Sequence, residues 1–383
     1  MRVGLIAYGL DTPARAGSGI GRYTLELARA LAALQDRPEI VLLAAGGVAP
    51  LAAEIESRRV QQVSLPGCRL LPGLATLGNG FIPLLARRWN LDVIHDPTGV
   101  TPFLFGAGRA QTVVTVHDVF AWSCPGYSSL LDTMIYRYWL PYVLPRRGDG
   151  VITISDQSRG DIQRYLHVAL DRLRVIPYGV SPHFRPLPHE TVHQWLRRRW
   201  GLGRYVLFVG TLTLRKNIER ALRAFARLNT QFPQLCFVLA GPRSWKQTPI
   251  EPVAQELGIA DRLVLTGPLT DADLPTLYNG AELLIFPSLY EGFGLPPLEA
   301  MACGTPVVCS NAASLPEVVG DAAVTVDPYD VEGLAEAMRR VLNDVSLRED
   351  LRARGLERAR QFTWEKAARE TVEVYRKVLA CKP

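Results

Sequence analysis

The stretch Glu282–Cys309, ELLIFPSLYEGFGLPPLEAMACGTPVVC, decides how the rest of the chain is read. Leu283–Phe286 is an apolar run of strand length. Pro287 and Ser288 break it, and Glu291, Gly292, Phe293 and Gly294 form a loop in which nothing regular persists. Pro296 and Pro297 suit the first turn of a helix, where a missing N–H leaves no intrahelical bond unmade. Glu299 is expected in that first turn. Gly304 closes the helix, and Thr305–Cys309 begins the next strand. Free backbone N–H groups and the positive end of the helix dipole then point at whatever precedes the helix, which makes an anion site. Two carboxylates beside a phosphate site would repel its ligand, so Glu291 and Glu299 fit better as hydroxyl acceptors. Phosphate together with many hydroxyls describes a nucleotide sugar.

The same alternation extends outward in both directions. In the first half, strands are expected at Met1–Tyr8, Ile40–Ala45, Val60–Leu65, Val93–His95, Thr112–His117, Val151–Ser155 and Leu173–Ile176. Helices are expected at Gly19–Leu34, Leu51–Arg59, Ile82–Trp89 and Ser158–Leu166. Tyr178–Pro188 (YGVSPHFRPLP) has three prolines and no apolar period, and it marks a domain boundary. A second series follows, with strands at Tyr205–Val209, Cys236–Ala240, Leu263–Thr266 and Ala323–Val326 around the opening stretch. Its helices are Ile218–Gln231, Ile250–Leu257, Leu274–Gly280 and Val331–Asn343, then an arginine-rich helical tail, Leu347–Leu379. Two such blocks predict an α/β protein of two Rossmann-like, doubly wound domains, residues 1–180 and 181–360, facing across a cleft. Ligands of such sheets bind beyond the carboxyl ends of the strands.

Composition narrows the class. At 383 residues, 48% hydrophobic and 21% charged, the chain can bury two cores. No apolar window is long enough for a membrane-spanning helix. MRVGLIAYGLD reads as a first strand rather than a signal peptide. The formal charge of +6 suits anionic partners and equally an ordinary solvated surface. Six cysteines (Cys68, Cys124, Cys236, Cys303, Cys309 and Cys381) form no CxxC or Cys/His cluster, which argues against a zinc site or disulfide framework and for a cytoplasmic protein.

Further candidates lie at strand ends. Gly17–Arg22 (GSGIGR) puts Arg22 where a dinucleotide fingerprint needs its third glycine, so hydride transfer is disfavoured. The loop serves as a sugar or anion contact or as a plain connection. His95 and His117 each end a strand, and His117 follows the cleaner one. Gly210–Asn217 (GTLTLRKN) carries Arg215 and Lys216, which can meet a diphosphate. Asp271-Ala272-Asp273 has the spacing that some sugar transferases use for a metal, but helix capping explains it better. Phe81–Trp89 and Tyr136–Arg147 mix aromatic, apolar and basic residues, as a membrane-surface segment or a buried helix with a basic end would.

Taken together, Glu291-x7-Glu299, GSGIGR, TVHD, IPYGVS, VGTLTLRKN, NAASLPEVVGDAA and FTW resemble the family 4 retaining glycosyltransferases of GT-B fold, over nearly the whole chain. The resemblance implies that His117 contacts the transferred sugar and that Gly19 and Gly21 border the donor diphosphate. Lys216 and Arg215 would neutralise the leaving phosphate beside Gly210 and Thr211, in place of a metal. Glu291 would hold sugar hydroxyls, Phe293, Gly294 and Leu295 would offer backbone amides, and Glu299 would bind the ribose. It further implies that residues 361–383 form a helix returning to the first domain. Many relatives carry arginine where this chain has Thr211, which shifts phosphate charge onto Arg215 and Lys216.

GIGRY, TVHD, GTLTLRKN and SLYEGFGLPP look most like the bacterial branch that adds mannose or related sugars to surface polysaccharides. The expected activity is hexose transfer, with GDP-mannose as donor, to a glycan or lipid-linked glycan. No metal, other cofactor or nucleic acid is expected, and peripheral contact with the inner membrane face is compatible with it. UDP-glucose or dTDP-rhamnose as donor, or a catalytically silent sugar-binding protein, are the alternatives.

Overall fold

The computed structural model describes residues 1–7, 10, 19–45, 55, 60–65, 74, 77–128, 130–243 and 249–381. The helix expected at Leu51–Arg59 falls outside them, Ile55 excepted, as do Gly17, Ser18 and Cys68. The chain divides into two compact units. Unit 1 is Met1–Gly179 with Thr363–Pro383, and unit 2 is Val180–Phe362.

Unit 1 is built on β1 (Arg2–Ile6), β2 (Glu39–Ala45), β3 (Val60–Leu65), β4 (Val93–Asp96), β5 (Gln111–Thr115), β6 (Gly150–Thr153) and β7 (Leu173–Val175). They form one parallel sheet in the order β3-β2-β1-β4-β5-β6-β7. Its helices include α1 (Gly19–Ala33), α2 (Gly78–Arg88), α3 (Leu140–Arg147) and α4 (Asp156–Leu166). In α1 the period of the apolar residues puts Tyr23, Leu27, Ala28 and Leu31 on the buried side.

Unit 2 repeats the plan with β8 (Tyr205–Val209), β9 (Cys236–Ala240), β10 (Leu263–Gly267), β11 (Leu283–Phe286), β12 (Val307–Ser310) and β13 (Val324–Val326). The order is β10-β9-β8-β11-β12-β13, again parallel. β8 and β11 are buried along their whole length, which is why they read as unbroken apolar runs rather than alternating ones. Around the sheet lie α5 (His189–Trp200), α6 (Ile218–Ala226), α7 (Ile250–Glu256), α8 (Leu274–Gly280), α9 (Leu295–Cys303), α10 (Leu315–Val319), α11 (Val331–Asn343) and α12 (Val345–Arg360). The last helix, α13 (Trp364–Ala380), belongs to unit 1, and the Thr363 hydroxyl caps it by accepting from the Lys366 amide.

Several expectations need correction. Helix α5 was not anticipated, since only Val192 and Leu196 of HETVHQWLRRRW are buried and the rest, Trp195 and Trp200 apart, is charged or polar. The helix expected over Ile218–Gln231 ends at Ala226. The single helical tail is two helices parted at Gln361–Thr363, where the chain passes from one unit to the other. Strand β5 stops at Thr115, so His117 lies two residues beyond it.

Candidate active site

In an open doubly wound sheet, ligands gather where the strand order reverses. In unit 2 that point lies between β8 and β11. The loop after β8 carries Arg215 and Lys216 in a single 3₁₀ turn, Leu214–Lys216, and the loop after β11 carries Glu291. Lys216 Nζ donates to Glu291 Oε1 at 2.6 Å, and Arg215 Nη1 lies 3.2 Å from Oε2. The Lys216 ammonium also sits 4.7 Å from the centre of the Phe286 ring, a favourable place for a cation. Arg215 donates in addition to the Tyr290 carbonyl.

All three ionic groups have little exposure, so their interaction is screened less than a surface pair. Burial alone would push the Glu291 carboxyl up. Lys216, then Arg215, outweigh it and hold the group down at about 2. Two cations thus share one carboxylate at the carboxyl ends of the strands.

The surrounding backbone is fixed by side chains from elsewhere in unit 2. Asn217 adopts a left-handed conformation at the start of α6 and donates from Nδ2 to the carbonyls of Pro287 and Pro328. Ser310 Oγ donates to the Ser288 carbonyl at 2.6 Å. Ser314 Oγ lies 2.9 Å from the carbonyls of both Glu291 and Phe293 and can donate to either. Gly210 lies beside the cluster, because a Cβ there would come within 3.8 Å of Lys216 Nζ. A Cβ on Gly241 would stand 2.1 Å from the Gly210 carbonyl oxygen, so the two strand-end turns approach this closely only with glycine there. Thr211 is exposed at the mouth of the same loop.

Gly294, at φ 121°, turns the chain into α9. A side chain there would also meet Leu315 at 2.7 Å. The helix begins at Leu295, so Pro296 and Pro297 are its second and third positions and Glu299 its fifth. Glu299 is therefore not in the first turn. It is nonetheless buried, and Tyr278 of α8 donates its hydroxyl to Oε2 at 2.8 Å. With two prolines lacking N–H, Leu295 alone of the first three helical positions has an amide to offer. Phe293 is buried, with its ring edge-on to Phe362.

Asp271 and Asp273 stand apart from this cluster in sequence. The Asp273 carboxylate accepts from the Thr270 hydroxyl at 2.9 Å, and that hydroxyl accepts in turn from the Asp273 amide at 3.3 Å, a reciprocal cap before α8.

Unit 1 holds the remaining candidates. Gly19 and Gly21 open α1, and Tyr23, one turn further on, reaches Thr115 through its hydroxyl at 2.9 Å. His117 has a protein partner at each ring nitrogen. A carbonyl can only accept, so Nε2 carries the proton and donates to Pro97 O at 2.7 Å. In the neutral ring Nδ1 then accepts from the Tyr178 hydroxyl at 2.5 Å. Burial pushes the imidazolium form out and brings the pKa down to about 4, although the Pro97 carbonyl works the other way. His95 lies inside β4 and contacts Tyr375 and Thr115 hydroxyls at 2.7 and 2.8 Å. Burial, and secondarily His117, push it down to about 3. Tyr178, Tyr278, Asn217 and Ser314 were not singled out by sequence. Their partners lie 21 to 111 residues away, so no local spacing betrays them.

The sequence model of Glycosyltransferase Family 4 matches residues 17–184, and that of Glycosyl transferases group 1 matches residues 200–358. O-antigen chain mannosyltransferase B of Escherichia coli is 34% identical over 370 residues, which cover 94% of this chain and 96% of that protein. The chain belongs to the family 4 glycosyltransferases. This glycosyltransferase is also 32% identical to the MMP alpha-(1->4)-mannosyltransferase of Mycolicibacterium hassiacum, over 78% of this chain and 73% of the relative. In fold it superposes on sucrose-phosphate synthase from Thermosynechococcus elongatus with a TM-score of 0.77 and 25% identity, each chain covered in full. Two parallel-sheet units of this kind make the GT-B fold of the glycosyltransferase.

Proposed function

We propose that this glycosyltransferase transfers mannose from GDP-mannose to a hydroxyl of a glycan or lipid-linked glycan, with retention of anomeric configuration and without a metal ion. The observation that carries the reading is the Arg215–Lys216–Glu291 cluster, whose two cations stand at the reversal point of the unit 2 sheet. In transfer from a nucleoside diphosphate sugar, negative charge develops on the departing diphosphate oxygen, and fixed cations lower the barrier by meeting it there. The bond from the anomeric carbon to that oxygen breaks and its electron pair leaves with the diphosphate. The acceptor oxygen forms the new bond on the same face and passes its proton to the departing phosphate. Glu291 holds the two cations in place before the donor arrives and accepts sugar hydroxyls once the diphosphate draws them away. Glu299, anchored by Tyr278, accepts the ribose hydroxyls. His117, neutral and fixed at both nitrogens, neither takes nor gives a proton in this scheme.

Mannose is favoured by the two mannosyltransferase relatives, one matched over almost its whole length. The test is a donor panel of GDP-mannose, UDP-glucose and dTDP-rhamnose with lipid-linked glycan acceptors, in buffer and in excess EDTA. GDP release from GDP-mannose, an α-linked product and rates unchanged by EDTA are expected. Preference for another donor overturns the mannose assignment, and turnover of none favours a non-catalytic binding protein. Loss of activity in EDTA refutes the metal-free part.

A further inference from the structure

Helix α12 carries five arginines, and one of them reaches toward the candidate site from behind. The helix is seated on α9. Leu351, Gly355 and Ala359 are buried, and a Cβ on Gly355 would come within 3.2 Å of the Met301 side chain. From that base Arg358 uses every part of its guanidinium. Nε donates to the Val318 carbonyl at 2.9 Å, and Nη2 donates to that of Glu317 at 2.6 Å. Nη1 donates to Gln361 Oε1 at 2.8 Å, and Cζ lies 5.0 Å from the centre of the Phe362 ring.

Both groups that Arg358 holds lead to one loop. Glu317 and Val318 lie in α10, a helix of five residues that is too short to persist unaided. Carbonyls in the last turn of a helix have no intrahelical partner, and Arg358 takes two of them. Gly320, at φ 57°, ends α10 beside the guanidinium, where a Cβ would stand 3.6 Å from Nε. At its other end α10 meets Glu291–Gly294 twice. Ser314 holds the carbonyls of Glu291 and Phe293, and Leu315 abuts Gly294. Phe362 reaches the same loop directly, edge-on to the buried Phe293 with 5.8 Å between ring centres. Its carbonyl accepts from the Val180 amide at 2.9 Å, which fixes its own backbone. One side chain thus secures the loop from two sides.

We propose that Arg358 is a positioning residue for glycosyl transfer, fixing the Glu291–Gly294 loop through α10 and through Phe362. Capping of α10 accounts for the two carbonyl bonds, but not for the Phe362 ring under the guanidinium or for that ring meeting Phe293. Arginine is needed rather than lysine, because a single ammonium cannot lie over a ring and also present a planar fork to two carbonyls. The inference rests on the reading of this loop as a donor-binding element.

The test compares Arg358→Lys with Arg354→Lys, a control one turn earlier on α12 whose guanidinium meets Asp321 and Asp350 instead. The KM for GDP-mannose should rise about tenfold in Arg358→Lys, as loss of a charge-assisted hydrogen bond would give. Its kcat should stay within about twofold, because a loop that holds ground and transition state alike acts on KM. NMR relaxation dispersion of the Glu291–Leu295 amides, measured without ligand, should grow in Arg358→Lys alone. Arg354→Lys should change neither. If Arg358→Lys does not fold, Phe362→Leu removes the ring and keeps the carbonyl bonds, and KM should then rise about threefold with the same dispersion. A fall in kcat at unchanged KM, or unaltered dispersion in the loop, overturns the proposal and leaves Arg358 as a cap on α10. If no donor is turned over, the donor reading fails by itself, and the dispersion alone decides whether Arg358 positions the loop.

Discussion

Beyond β5 in unit 1, His117 is held by two uncharged partners, the Pro97 carbonyl and the Tyr178 hydroxyl. Beyond β11 in unit 2, Glu291 is held by two cations, Lys216 and Arg215. The six strands of the unit 2 sheet follow the order of the first six of unit 1, which adds β7 at its edge. What differs is the kind of interaction: His117 is held by neutral hydrogen bonds, Glu291 by ion pairs. In the proposed reading the second cluster meets the departing phosphate, so function divides unequally between two units of the same plan.

The sharpest way to break this contrast is to remove one of the two cations. Lys216→Ala takes the cation nearest Glu291 and leaves one carboxylate facing one arginine. Turnover with donor saturating should fall by about a hundredfold, the loss typical of a fixed donor to a developing anion. The fold should persist by circular dichroism. A near-normal rate would remove the phosphate role from Lys216 and leave Arg215 as the only candidate.

Glu291→Gln attacks the same cluster from the other side. Size and shape are kept, but two poorly exposed cations lose their counter-charge, and breaking such a pair costs about 3 kcal/mol. Chemical unfolding should show that loss, and turnover should fall about tenfold. Lys216→Ala and Glu291→Gln combined should be less harmful to stability than the sum, since Lys216, one of the two cations that lose the Glu291 carboxylate, is then gone as well. Strict additivity would mean that the two groups do not act as a pair.

How far this contrast could be read from sequence depends on the range of each contact. The strand, loop and helix around Glu291 were legible because apolar runs, two glycines and two prolines are local signals. Glu299 falls just past the first turn in which it was expected, because α9 starts at Leu295 and makes it the fifth position. That Glu291 would meet Lys216 could not be read at all, since the two are 75 residues apart and only the adjacency of β8 and β11 joins them. Tyr178 is 61 residues from His117 and sits in a segment read as a boundary and as one motif of the resemblance, neither of which points to His117.

Acid should take the two sites apart in order. The histidines of unit 1 have lowered values, so below the ordinary histidine pKa of about 6.5 the unfolded chain binds protons that the folded one refuses. The histidines then withdraw stability from unit 1 as the pH falls from about 6.5 to about 4 through His117, and on to about 3 through His95, while Asp96, whose carboxyl burial pushes up, works the other way. Glu291 is also lowered, but from 4.5 to about 2, so its contribution is intact above pH 4.5 and fades only below that. Hydrogen exchange of β4 and β5 amides should therefore accelerate between pH 6.5 and 4.5 while β8 and β11 stay protected. Simultaneous loss in both sheets over that range would contradict the assignment of the windows.

The smallest expected effect tests whether the neutral network does anything beyond packing. Tyr178→Phe deletes one hydroxyl from a buried ring that stacks near Trp364 and Tyr23, and leaves those contacts in place. His117 Nδ1 then has no donor, the neutral Nε2–H form loses part of its advantage, and the histidine pKa should rise from its value of about 4. Tyr23, Tyr136 and Asp118 also act on this corner, through Tyr178 itself or by ring contact, so the rise is bounded by what they contribute. Ring nitrogen shifts of His117 measured by NMR against pH report both tautomer and protonation, which simple packing would not move. A several-fold fall in kcat with an unchanged KM for the donor should accompany the shift. An unaltered titration of His117 would mean that burial alone keeps it neutral and that the Tyr178 hydroxyl serves only to satisfy a nitrogen.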